Sequence, residues 1–594
     1  MEDVDVERGR TRTRRPLRQQ GGLIAAVSHQ PPDEPKAPSS TTQSQPPSED
    51  EKSDHTSPEP VFEPIQSPQT THRPSLNTIR TSRNTTSIHR THSSNGYGCD
   101  TPVDEADIAP EPDSPPNGSN PQESESEKDP FLVTWDGDDD PDNPRNMSTA
   151  RKWVITGIAC FGAFAVTNAS AVYTTTYASM ADSFPTTRLI STIGLSSFVL
   201  GIALGPFWSP LAEFYGRRPI YLASFLSFLV FLIPSAVARN IETIIVTRFL
   251  QGLAGSAFLS VSGGTVGDLF SRDDMQAPMA LFTLAPFVGP STGPLIGGLE
   301  NTFLPTWRWT HYIVLMEAGV ILVALYFFVP ETYHPVLLAH KAARLRKSTG
   351  DPRHLAPIET GPPRSIPQTI SVSLLRPLQL LYHEPMCLIL DLYSAVLLGL
   401  LYLFFGAFPL IFSTNHGFNL WQVGLTFMGI LLSMPLAALT TPFWHRLRGR
   451  LAARRGGVEE PEDQLPMVVF GAPLITGGLF WFGFTTYPHI HWIVPIIGSL
   501  VFGMGTMLAF TGIFTFLVDA YPRYAASALA GNALVRCSFA AAFPLFGIQL
   551  YEGLGFQWAT GLLAFVTLVM LPFPYLFFRY GKRLRSRSRF AKAT

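Results

Sequence analysis

The sequence predicts an all-α polytopic membrane protein, with twelve transmembrane helices in two six-helix halves behind a disordered N-terminal tail. Three observations predict it. Of 594 residues, 45% are hydrophobic and only 15% charged, where a soluble chain carries about a quarter charged residues. From Trp153 onward the chain is mostly apolar stretches, each near the roughly twenty residues a helix needs to cross the hydrocarbon core. Lys and Arg then crowd one alternate set of the connecting loops, as they do on the cytosolic side of a membrane.

Residues 1–150 form the first element, a cytosolic tail ending in a short pre-membrane motif. The tail is rich in Pro, Ser, Thr and Asp and nearly free of apolar runs, so it buries too little to offset its ordering entropy. Arg8, Arg10, Arg12, Arg14, Arg15 and Arg18 open it without a following apolar core, so the first span is expected to be its own targeting signal. Ser57-Pro58, Ser67-Pro68, Thr101-Pro102 and Ser114-Pro115 are either sites for kinases or parts of an unmodified spacer.

Spans follow near 153–178, 188–211, 219–238, 241–267, 275–299 and 309–329, then near 386–412, 421–444, 466–486, 491–518, 524–549 and 557–579. Runs this long exclude barrel strands, and helices are the remaining spanning structure that satisfies its own backbone. The divisions are an N-terminal half at 151–330, a cytosolic linker at 331–385, a C-terminal half at 386–580 and a basic cytosolic tail at 581–594. Lys341, Arg344, Arg346 and Lys347, then Arg446, Arg448, Arg450, Arg454 and Arg455, then Lys582, Arg583, Arg585, Arg587 and Arg589 fall on one face. The opposite loops near 179–187, 300–306, 413–420, 487–490 and 550–556 have no Lys or Arg. Both termini are therefore expected in the cytosol. Pro206-Phe207-Trp208 and Pro442-Phe443-Trp444 end spans two and eight, and Asp268 with Arg272 and Asp519 with Arg523 close spans four and ten as charge pairs. Equivalent places in the two halves imply a repeat around a central pathway.

Several residues stand out chemically. The turn Glu213-Phe214-Tyr215-Gly216-Arg217-Arg218 sets a carboxylate, a tight turn and two guanidiniums at the membrane face, a latch that charge-assisted hydrogen bonds hold in one conformation. Arg248 lies inside span four, where a charge is costly and functional by default; snorkelling is its alternative. In span five, Gly289, Pro290, Gly293, Pro294, Gly297 and Gly298 let a neighbouring helix come close and loosen the span. Glu317, about eight residues into span six, is a candidate proton carrier or a structural hydrogen-bond partner. Asp391, nearer the cytosolic end of span seven, is the weaker candidate, with hydration as its alternative. Phe404, Phe405, Phe408 and Phe412 form an aromatic face that fits helix packing or a drug site equally well. Asn168, Tyr402, Phe405 and Asn532 are candidates for the substrate pathway.

The four cysteines, Cys99, Cys160, Cys387 and Cys537, are far apart and make no metal-ligand spacing, so no disulfide, metal or other cofactor is expected. The net charge of −2 gives no reason to expect nucleic acid as a partner. No Gly-x-x-x-x-Gly-Lys-Ser/Thr loop is present, which argues against an ATP-driven pump, and no soluble domain offers room for an enzyme site.

These motifs resemble the major facilitator superfamily. The 209–218 turn is similar to its inter-span motif, with Glu213 for the usual Asp and Ser209 for the usual first Gly. Arg248–Gly252 is similar to its span-four Arg motif, and 289–298 to the antiporter motif of its exporters. Trp135-Asp136-Gly137 through Asp140-Pro141-Asp142-Asn143-Pro144, with Arg151-Lys152-Trp153, resembles the pre-membrane signature of the fungal twelve-span drug:proton antiporters. So do Pro330-Glu331-Thr332-Tyr333, Leu401-Tyr402-Leu403-Phe404-Phe405 and Asp519-Ala520-Tyr521. The match covers about 130–590 and is similar to the polyamine and multidrug branch. That branch commonly has Glu after the Tyr-Leu-Phe-Phe run; here Gly406 stands there, which weakens polyamine transport as a reading. The resemblance implies the major facilitator fold and a proton-coupled exporter of small organic compounds, drugs, fungicides or a secondary metabolite. A polyamine or organic-cation transporter, and a non-transporting transceptor, are the alternatives. The implied partners are a small-molecule substrate, protons and the lipid bilayer. A monomer is expected in the plasma membrane, with the vacuolar membrane as the alternative.

Overall fold

The computed structural model describes residues 131–591 apart from Asp138, Arg272, Asp273, 361–364, Arg587 and Arg589. The tail through residue 130, with its Ser-Pro and Thr-Pro sites and Cys99, and the expected partner Arg272, lie outside the described residues.

Among the described residues, twelve helices are long and apolar enough to cross a membrane. The first six are α1 (Thr149–Ser183), α2 (Arg188–Tyr215), α3 (Arg217–Ala236), α4 (Ile241–Leu269), α5 (Gln276–Phe303) and α6 (Arg308–Phe328). Two linker helices follow, α7 (His334–Thr349) and α8 (Ile366–His383). The second six are α9 (Pro385–His416), α10 (Leu420–Arg454), α11 (Pro461–Phe484), α12 (Ile493–Ala520), α13 (Ala525–Leu554) and α14 (Phe556–Arg585).

Local chemistry sets the boundaries. Asn240 Oδ1 caps α4 by accepting from Thr243 N at 3.2 Å, and an Asn419–Gln422 capping box opens α10, each satisfying amide donors that a helix start leaves unpaired. Gly417, in the left-handed region at φ 65°, ends α9.

In a bilayer, helices associate through close packing rather than apolar burial, and α5 uses its glycines for this. A Cβ added at Gly289 would lie 2.1 Å from Thr167 Oγ1, at Gly293 2.6 Å from Ala171 Cβ, and at Gly297 2.4 Å from Thr175 Oγ1. On another side of the same helix, a Cβ at Gly298 would lie 2.9 Å from Leu420 O. The antiporter-like run therefore presses α5 onto α1 and α10 in the half of the molecule far from the linker. Pro286, Pro290 and Pro294 lie inside α5, which still runs unbroken over Gln276–Phe303.

The outer helices differ. Val320 and Phe327 of α6 are 68% and 72% exposed, the signature of a lipid-facing helix. Phe404, Phe408 and Phe412 of α9 are fully buried. Phe408 stacks on Phe482 at 5.0 Å and Phe404 meets Phe502 at 5.4 Å, so most of the aromatic face is packing.

Residues 131–148, apart from Asp138, belong to the predicted tail but pack against α7 and the linker. Leu132 bridges to Leu355, and Val133 packs with Ala342 and Ala356. Asp140 Oδ2 and Asp136 Oδ1 take Lys341 Nζ at 2.8 and 2.9 Å, and Trp135 meets His334 edge-on. At the other terminus, Ser588 Oγ donates to Glu384 Oε1 at 2.5 Å, and Phe590 N also donates to Glu384 Oε1 at 3.4 Å, at the start of α9.

Candidate functional site

A cavity lies between the two six-helix sets, with about 1460 Å³ of empty space including its open mouth. It occupies the linker side of the membrane region. Its walls come from α1 (Thr167), α2 (Ile202, Ser209), α4 (Ser256, Ser260), α5 (Phe282, Phe287), α9 (Leu398, Tyr402), α12 (Phe514) and α13 (Asn532, Arg536, Cys537). The linker helix α8 lends Val372, Ser373 and Arg376 to the mouth. At its inner end two bonds cross between the sets. Ser170 Oγ and Tyr402 OH are 3.0 Å apart, and Ser196 Oγ donates to Ala541 O at 2.6 Å. Beyond them the Gly298 contact of α5 with Leu420 of α10 joins the two sets on the far side.

Two of the sequence-predicted pathway residues, Tyr402 and Asn532, stand in this wall. Phe405 sits beside it, in a side recess with Phe427 and Ile430. Asn168 does not reach the wall: it is 3% exposed inside α1 and its Oδ1 meets no partner. Its neighbour Thr167 faces the cavity instead, since successive helix positions point about 100° apart.

Asp391 is buried away from bulk solvent despite its place toward the linker end of its span. It is 0% exposed. Its Oδ1 accepts from Asn532 Nδ2 at 2.9 Å, and its Oδ2 from Cys387 Sγ at 3.4 Å. Asn532 also donates to Ser394 Oγ at 2.7 Å, so one cavity-wall side chain links the pathway to a buried carboxylate. Arg536 is an electrostatic neighbour of Asp391. Glu317 is not among the lining residues. It lies on the lipid-facing α6, with Glu300 as an electrostatic neighbour. Depth along a span is legible in sequence; the direction a side chain faces is not.

Arg248 does not snorkel. It is 2% exposed, its Nη1 donates to Ala169 O at 2.8 Å and its Nη2 to Ser170 O at 3.0 Å. Its guanidinium lies 4.3 Å from the Phe198 ring and 4.4 Å from the Tyr173 ring. It ties α4 to α1 and α2 near the Ser170–Tyr402 bridge and does not line the cavity.

The charged turn has other partners than its own spacing suggests. Arg217 Nε donates to Asp268 Oδ2 at 3.2 Å. Glu331, just past α6, accepts from Arg217 N and Arg218 N at 2.8 and 3.1 Å. Gly216, at φ 94° and ψ 166°, occupies a region nearly closed to other residues, and a Cβ there would lie 2.3 Å from Glu331 Oε2. Glu213 has a smaller part, as an electrostatic neighbour of Arg217. In the second half Asp519 accepts from Gln464 Nε2 at 2.7 Å, where spacing pairs it with Arg523. Gln464, in the first turn of α11, thus stands where Arg217 opens α3, so the repeat extends to the partner but exchanges a guanidinium for an amide. Spacing along a helix misses such partners because helix ends meet across the bundle.

The described architecture, twelve spans with a central cavity and this charged turn, has a match among known families. The family model of the Major Facilitator Superfamily matches residues 159–544. The chain belongs to that superfamily. It is a multi-pass integral membrane protein. Among relatives of this superfamily member, "Efflux pump atB" of Aspergillus terreus is 53% identical over 78% of this chain and 90% of its own length. "Probable drug/proton antiporter YHK8" of Saccharomyces cerevisiae is 40% identical over 77% of this chain and 90% of its own. Both are fungal relatives within the superfamily. Its fold, and the fold alone, is like that of the proton:xylose symporter XylE, with a TM-score of 0.52 and 15% identity over 73% of this chain and 97% of that one.

Sequence reasoning missed Arg536 and Arg376. Arg536 carries the same signal that picked out Arg248, a charge inside an apolar span, and that rule finds it. Arg376 lies on a linker helix, where an arginine is ordinary, and only the fold brings it to the cavity mouth.

Proposed function

We propose that this protein exports small organic compounds in exchange for protons, with its two halves exposing the cavity to alternate sides of the membrane. The observation that carries this reading is the cavity itself, which lies between the halves, opens at the linker face and is closed by glycine-mediated contacts at the far face. The printed names of the relatives, an efflux pump and a probable drug/proton antiporter, support the same direction and driving ion.

The linker face is cytosolic on this reading, because the loop arginines and lysines gather there, and the plasma membrane is the expected site. Asp391 is the coupling carboxylate: buried, bonded to a cavity-wall asparagine and near an arginine, it exchanges its proton as the halves reorient. Arg248 fastens α1, α2 and α4. The Arg217–Asp268–Glu331 cluster ties the first half to the first residue of the linker, so it stiffens that half as one moving body. The turn acts as a fastening, and the moving contacts are those between the halves, α5 with α10 and α2 with α13.

The test is reconstitution of the full chain in sealed liposomes with a fluorescent drug. An imposed proton gradient is expected to drive drug accumulation against its own gradient, and a protonophore to abolish it. Equal transport with and without the gradient would leave a facilitator and remove proton coupling.

A further inference from the structure

We infer that Ser588 is a phosphorylation site for a serine kinase that recognises basic residues, and that its phosphate releases the C-terminal segment from the rim of the cavity mouth. The inference goes beyond the transport reading and does not depend on what the cavity carries.

One buried carboxylate holds the segment. Glu384 is 3% exposed at the start of α9. Its Oε1 accepts from Ser588 Oγ at 2.5 Å and from Phe590 N at 3.4 Å, and its Oε2 from Tyr521 OH at 3.3 Å. Ser588 Oγ in turn accepts from Phe590 N at 3.1 Å and from Ala591 N at 2.9 Å, so one hydroxyl both shapes the turn and docks it. Phe590 packs edge-on to Tyr524 at 5.3 Å and against His383 at 6.2 Å, and Ala591 is buried behind it. His383 ends α8, Glu384 precedes α9 and Tyr524 precedes α13. Arg376, which lines the mouth, lies 5.8 Å from the same Tyr524 ring. The segment therefore ties together three elements at the rim of the mouth.

Arg583 and Arg585 stand five and three residues before Ser588, where a basic-directed kinase meets guanidiniums on its substrate. Docked Ser588 is buried, so the kinase takes it from the transiently undocked segment, since chain ends open most readily. Ser588 Oγ bonds to the γ-phosphorus of ATP, the bond from that phosphorus to the bridging oxygen of ADP breaks, and the hydroxyl proton passes to the catalytic carboxylate of the kinase. The product does not redock. Its bridging oxygen has no proton to donate, and about two negative charges face the buried Glu384 carboxylate. Ser586 is exposed and donates to Arg583 O at 2.9 Å; a phosphate there meets no buried acid and leaves the segment docked.

The experiment uses the full chain in nanodiscs with ATP and the catalytic subunit of cyclic-AMP-dependent protein kinase. Mass spectrometry maps the phosphate, and hydrogen exchange follows the amides of 586–591. Phosphate is expected at Ser588, and exchange is expected to speed up at least about tenfold, as the loss of one hydrogen bond to a charged group implies. Glu384→Gln keeps an acceptor for Ser588 and removes the like charge, so phosphorylation of that variant is expected to speed exchange less. In untreated protein, Ser588→Glu is expected to exchange faster than Ser588→Gln, because the two side chains match in size and differ in charge. No phosphate at Ser588, phosphate there with unchanged exchange, the same acceleration in Glu384→Gln, or equal exchange in the two Ser588 variants overturns the inference. If Glu384→Gln does not fold, the comparison of Ser588→Glu with Ser588→Gln decides.

Discussion

At the scale of single residues, two carboxylates competed for the coupling role, and their surroundings separate them. Asp391 is bonded to the cavity-wall Asn532, whereas Glu317 rides a helix whose neighbouring positions Met316 and Val320 are 57% and 68% exposed. In proteoliposomes, Asp391→Asn is expected to lose gradient-driven accumulation while exchange without a gradient survives, and Glu317→Gln to keep driven accumulation. The reverse pattern in the two variants would return the role to α6. A second residue, Gly216, is fixed by backbone geometry. Any side chain there forces either the ψ 166° backbone or Glu331 to move, at a cost of order 1–3 kcal/mol. Gly216→Ala is expected to lower the melting temperature of the purified protein, and an unchanged melting temperature would show that the turn is not under strain. Gly216 and Arg217 were legible in the sequence as a charged turn. Glu331, which accepts from the amides of Arg217 and Arg218, was not, because it follows α6 and stands 114 residues beyond Arg217, and spacing rules reach one or two helical turns.

At the scale of elements, the segment 131–148 docks on α7 through Asp140, Asp142 and Asp136 facing Lys341 and Arg344. The amide of Asp136 and then the Lys341 ammonium hold the Asp140 carboxyl down from 3.8 to about 2. A lowered carboxylate value means that the docked form binds the proton less readily than the free segment does. The stabilisation is therefore complete above the ordinary value of 3.8, and is lost as pH falls through about 2. Amide hydrogen exchange across 131–148 is expected to stay slow from neutral pH down to about pH 4, and to speed up at neutral pH in Asp140→Asn. Exchange unaltered by that substitution would mean that Val133 and Leu132 hold the segment without the charges. The glycine run of α5 makes a parallel case. Gly298→Val sets a branched side chain where Leu420 O of the second half stands 2.9 Å from even a single added carbon. The far side is then expected to fail to close, so that impermeant reagents reach the cavity from both sides and net export falls. The run itself was legible from its Gly-Pro repeats; which helices it would touch was not, since small residues announce close packing but not the partner.

At the scale of the whole molecule, the twelve spans and their six-plus-six order were readable because each apolar run is long and the loop charges alternate. The cavity was not readable, because it is made of what the helices leave between them. Its position has a consequence for sidedness. Cys537 lines the cavity, the cavity opens at the linker face, and that face carries the arginines that positive-inside topology assigns to the cytosol. All three described cysteines are buried, Cys537 in the cavity wall and Cys160 and Cys387 away from it. In a Cys99→Ser background, an impermeant maleimide is therefore expected to label Cys537 in inside-out vesicles and to leave it unlabelled in sealed right-side-out cells. Cys537→Ser should remove the vesicle signal, which ties the labelling to this site. Tags on the two termini should likewise resist protease on intact cells and be clipped together in inside-out vesicles. An even number of spans requires the tags to behave alike, whichever way the protein is inserted. If the tags agree but Cys537 labels from the outer side of intact cells, the topology survives and the resting cavity faces outward. If the tags disagree, the count of twelve fails, and with it the assignment of the cavity mouth to the same side as both termini.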